Sequence, residues 1–212
     1  TVRSKAKFIP RDYRNIKRKG VCNMKDRERL CLALQELKAD CRKKQKRGLH
    51  FILASVPLWL AILLIHISSL PILTKNLYTF FCSAPLVPLA YYISKIIGVD
   101  FQNKNNPLTK LGLIFTTNQI FYLLIVMWVY AAIPDKMVMV YAMVFGAHLF
   151  PYGWLYQSKT YYILSVIIPI GALILGLYYN AAIIAIFMLM IEVVFCCCLI
   201  IENRIENQYE EN

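Results

Sequence analysis

The stretch AAIIAIFMLMIEVVFCCCLII, residues 181–201, has one charged side chain, Glu192, in 21 positions. At about 1.5 Å per residue, a helix of this length covers a hydrocarbon core roughly 30 Å thick. A helix that is apolar on every side must be surrounded by protein or by lipid. The rest of the chain points the same way, since 58% of the 212 residues are hydrophobic and the mean hydropathy is +0.50. A soluble domain must wet too much of its surface for that composition.

Working back from residue 181, five more apolar runs of spanning length occur, at 49–70, 77–97, 111–133, 137–156 and 161–179. The connections at 134–136, at 157–160 and at Asn180 are so short that they make neighbouring spans antiparallel. The expected fold class is an all-α membrane protein with six transmembrane helices, preceded by a short cytoplasmic amphipathic helix.

That preceding helix is assigned to residues 24–48, where Leu30, Leu34 and Leu37 recur at helical spacing, Cys41 continues the stripe, and a basic cluster follows. Residues 1–23 show no apolar period. They are expected to be either a translated leader ahead of Met24 or a disordered basic tail drawn to anionic lipid. Residues 202–212 are expected to form a cytoplasmic acidic tail.

Of the 24 lysines and arginines, 17 fall in the first 47 residues. From Met24 onward an inward N-terminus puts 14 of them on the inner side and leaves only Lys75 and Lys136 outside. Positive charge is retained in short cytoplasmic loops, so both termini are expected to be cytoplasmic in a multi-pass protein of the cell membrane. The net charge of +12 drops to +5 when counted from Met24, and no interleaving of aromatic and basic residues suggests nucleic acid. The partners expected are the lipid bilayer and a homo-oligomeric copy.

Seven cysteines include no C-x-x-C pair. Cys196, Cys197 and Cys198 point about 100° apart on a helix and cannot converge on one metal ion. No cofactor is expected. Signatures for a serine nucleophile elbow, a zinc protease helix, a P-loop or a dinucleotide fold are all missing, so no catalytic residue is assigned.

Polar groups inside the spans are therefore the place to look for a site. His148 and Glu192 each lie 11 residues into their spans, about 16 Å deep, and Asn118 and Gln119 lie at the matching level of the third span. Those four residues form one candidate intramembrane polar layer, with His148 against Glu192 as its central contact. His50 and Lys95, at inner ends, are expected to snorkel, and His66 to sit half-wet at the outer surface. Pro57, Pro85 with Pro88, Pro151 with Gly153, and Pro169 with Gly171 are expected to disturb four of the six spans.

The segments KKQKRGLHFILAS, CSAPLVPLAYYISKIIGVDFQNKNNPLTKLG and MVMVYAMVFGAHLFPYGWLYQSKTYY resemble a family of uncharacterised bacterial integral-membrane proteins, a domain of unknown function found mostly in Gram-positive organisms. The resemblance covers residues 43–202 and implies a location and a topology, with no activity to transfer. The function expected is non-enzymatic: helix packing, partner binding, or a stress or sensory component. The alternative is a small-solute or proton-coupled transporter with its midplane site at His148 and Glu192.

Overall fold

The computed structural model describes residues 24–101 and 103–211, so the expectation for residues 1–23 lies outside the described residues. Among the described residues there are helices and turns and no strand. The chain divides into two units, 1–37 and 38–212. In the first, residues 24–37 are helical and expose Leu30, Leu32 and Leu34. They begin helix α1 (Met24–Lys44), whose last turn holds Arg42, Lys43 and Lys44, where the negative end of the helix dipole favours cations.

In the second unit, a 3₁₀ turn (Lys46–Gly48) leads into α2 (Leu49–Ile67), followed by α3 (Ile72–Ser83), α4 (Leu86–Ile96), α5 (Leu108–Ala132), α6 (Met137–His148), α7 (Phe150–Tyr156), α8 (Lys159–Tyr178) and α9 (Ala181–Glu211). Among the described residues, six helical segments are long and apolar enough to cross a membrane: Lys46–Ile67, Ile72–Ile96, Leu108–Ala132, Pro134–Tyr156, Lys159–Tyr178 and Ala181–Gln208. The second begins five residues before the expected 77. Lys75 and Asn76 belong to its first turns because Lys75 Nζ donates to the His66 carbonyl at 3.2 Å and the buried Asn76 amide to Pro134 O at 2.8 Å.

The prolines act unequally. Pro57 and Pro169 sit inside continuous helices, and Pro151 occupies the first turn of α7, where its missing N–H costs nothing. Only the joints at residues 84–85 and at Leu149 divide a span. The expected acidic tail is instead the end of α9, which stays helical to Glu211.

Helix α9 packs along α2 and α8, α6 packs along α8, α4 lies on α2, and α5 rests on α6. The shared core includes Trp59 and Ile62 of α2, Ile168 of α8, and Ile184, Met188 and Phe195 of α9. Small residues permit the closest approach: Ala142 and Ala185 are fully buried, and a Cβ on Gly146 would lie 2.6 Å from Ile168 Cγ2. Helix α5 is the peripheral span, exposing Leu113, Ile114, Ile120, Phe121 and Leu124.

Candidate functional site

The candidate polar layer is divided by the fold. Glu192 of α9 is completely buried and accepts a short hydrogen bond from Ser55 Oγ of α2, while its other oxygen, Oε1, has no partner. His148 ends α6, and its Nδ1 bonds the Phe145 carbonyl one turn back. Its ring stands edge-on to Phe145 and Tyr152. No hydrogen bond or ion pair joins His148 to Glu192. Asn118 is exposed on α5 and donates to Tyr122 Oη at 2.8 Å.

Gln119, one residue on, turns inward. It lines a cavity of about 60 Å³ together with His148, Ser55, Thr116 and Tyr152, so Glu192 reaches this space through Ser55. The volume admits a few water molecules. Thr116 Oγ1 and Tyr152 Oη are 2.7 Å apart on its wall, and Tyr152 Oη also donates to Gly112 O at 3.0 Å.

Phe51, Val87, Thr116, Tyr152 and Tyr156 also line a second, larger space of about 650 Å³ at the basic end of the bundle. This vestibule is walled by the start of α2, the 97–107 loop, α5 and α7, with Val87 from α4. Its rim carries Lys104 and Lys110, and no acidic side chain lines it among the described residues. His50 is in its wall, 2% exposed, its ring packed on Phe51 and Phe101 and neither ring nitrogen partnered. The expected snorkelling of His50 does not occur, because the 97–107 loop folds Phe101 over it. His66 is likewise buried, not half-wet, and pairs with Thr79 Oγ1 at 3.0 Å.

The loop that shapes the vestibule is tied to α1. Asp40 Oδ2 accepts from the amides of Asn103 and Asn106, each at 2.9 Å, and Oδ1 faces Lys44 Nζ at 2.6 Å. Burial alone would raise the Asp40 carboxyl, but these donors outweigh it and hold it below its ordinary value. The neighbouring Cys41 thiol is pushed up to about 11, by burial first and by the Asp40 charge second.

Beside the vestibule the basic cluster is neutralised. The chain turns into α2 through left-handed Lys46, Arg47 and Gly48, with φ of 45°, 53° and 71°. Such angles are costly for the first two residues and natural for the glycine. Contacts hold the turn in place: Arg47 faces Glu206 at 2.9 Å and Glu202 at 3.2 Å, and its backbone carbonyl accepts from Tyr161 Oη at 2.8 Å. Arg42 Nε donates to Glu206 at 2.7 Å, and Glu202 also receives Ser158 and Thr160 hydroxyls. Glu202 and Glu206 are therefore partners of the first span rather than members of a solvated tail.

Sequence reading missed Ser55, Tyr152 and the vestibule. Ser55 was findable as a hydroxyl inside a span; the vestibule was not, because its walls come from segments far apart in the chain. Among the described residues no three His, Cys, Asp or Glu side chains gather as a metal site would need.

No curated protein and no solved structure matches the chain. A family of unknown function, DUF7010, matches residues 34–202, which include α2 to α8, most of α9 and every side chain of the cavity and the vestibule. The chain belongs to this family.

Proposed function

We propose that the protein is a multi-pass, non-enzymatic protein of the cell membrane that binds a small polar solute inside its helical bundle, as a carrier does. One observation supports this most: the Ser55–Glu192 pair lies behind the wall of a cavity that adjoins a wide vestibule. A buried carboxyl with one unpaired oxygen leaves hydrogen-bonding capacity that a solute or a proton can use. Gln119 and His148 would face such a solute, with Glu192 acting through Ser55.

The excess of lysine and arginine at the vestibule end supports a cytoplasmic orientation for that end and for both termini. Helix α5 supports a second copy as partner. Its exposed Asn118 lies 10 residues into the helix, about 15 Å from its start; its NH2 is bonded to Tyr122 Oη, and the rest of the amide is costly against lipid and not against another copy.

The test is a thermal-shift screen of polar solutes on purified protein in detergent. A solute that stabilises the wild type is expected to lose its effect on Glu192→Gln and Ser55→Ala, both still folded. Equal shifts in all three proteins would leave the polar pair a packing device, and the protein a partner-binding bundle.

A further inference from the structure

We propose that the vestibule is a binding site for the headgroup of an anionic phospholipid, a role separate from any solute taken deeper in the bundle. Three features of the cleft converge on that ligand. First, its mouth is positive: Lys104 of the 97–107 loop and Lys110 in the first turn of α5 stand exposed, with no acidic residue among the described lining residues. Second, its wall holds an unmet polar group, since both His50 nitrogens are buried without a partner. A neutral imidazole has one donor and one acceptor to satisfy: a phosphate diester oxygen can accept from its N–H, and a headgroup hydroxyl can donate to its other nitrogen.

Third, the cleft becomes apolar with depth. Val87 lies nine residues before the end of α4 and Leu113 five residues into α5, which puts apolar side chains about 13 Å and about 7 Å past the polar loop. A soluble anion would use only the mouth. An amphiphile uses both parts, its phosphate at the lysines and its first acyl carbons against Val87 and Leu113. The space of about 650 Å³ accommodates a headgroup with the chain segments next to it. Basic pockets between spans at the cytoplasmic boundary are where acidic lipids bind, each lysine contributing roughly fivefold in affinity.

Native mass spectrometry of the full chain, released from vesicles of phosphatidylcholine mixed with phosphatidylglycerol, tests this. The wild type is expected to retain phosphatidylglycerol above its share of the vesicle. The double change Lys104→Ala/Lys110→Ala should weaken that retention about 30-fold, at roughly fivefold per lysine. His50→Phe, which keeps the ring packing, should weaken it further. Lys159→Ala, at the same end but outside the cleft, should leave it unchanged, and Glu192→Gln should too, which separates this site from the solute site.

Should the alanine pair fail to fold, Lys104→Gln/Lys110→Gln replaces it. Equal retention of the two lipids, or an equal loss on Lys159→Ala, would overturn the proposal. Displacement of lipid by glycerol 3-phosphate as effective as that by phosphatidylglycerol would overturn it in favour of a soluble phosphate ester.

Discussion

Arg47 shows how one side chain can hold a costly backbone. Its side chain is 8% exposed, its guanidinium meets Glu202, Glu206 and Asn203, and the left-handed turn around it would relax without them. Removing one partner of a buried ion pair strands the other charges, so Arg47→Ala should lower stability by roughly 3 kcal/mol in thermal unfolding in detergent. Arg47→Lys should recover only part, because the three donors of an ammonium sit on one nitrogen and cannot reach the three residues that Nε, Nη1 and Nη2 reach separately. Local sequence reading could not show this. Glu202 and Glu206 follow an apolar run and look like a wet acidic tail, and their arginine partners lie over 150 residues away.

Elements repeat the lesson in both directions. The spans were legible because about 20 apolar residues can hardly do anything else. Their ends were less so: Lys75 and Asn76 look like loop residues until His66 and Pro134 offer them carbonyls. The 97–107 connection is likewise shaped from outside, by Asp40. Since the folded carboxyl lies below its ordinary 3.8, its stabilising effect is complete above that value and is lost as pH falls through the folded one. Limited proteolysis of this loop should accelerate on acidification, and Asp40→Asn should make cleavage fast already at neutral pH and flatten the response.

Helix α5 carries a separate expectation. Asn118 joined the candidate layer by depth alone, and depth says nothing about direction. If its amide meets a second copy, Asn118→Leu should weaken self-association in vesicles about threefold, from ~0.6 kcal/mol per interhelical hydrogen bond, as read by single-molecule photobleaching. Unchanged association would leave α5 facing lipid alone.

The second unit has one basic end and one end with Lys75 and Lys136. For the proposed orientation, a cysteine introduced at Lys136 should react with a membrane-impermeant maleimide added to intact cells. One at Lys159 should react only after the cells are opened. The reverse pattern would invert the topology and put the vestibule on the outer face.

Two polar ties of the bundle, Ser55 to Glu192 and Arg47 to Glu202 and Glu206, join the first span to the last. A chain made from its N-terminus inserts α2 long before α9 exists. Until then Ser55 and Arg47 lack their carboxylates, and the face of α2 that α9 will cover meets lipid or a chaperone instead. The order of synthesis thus leaves this face of the bundle open until α9 arrives to cover it.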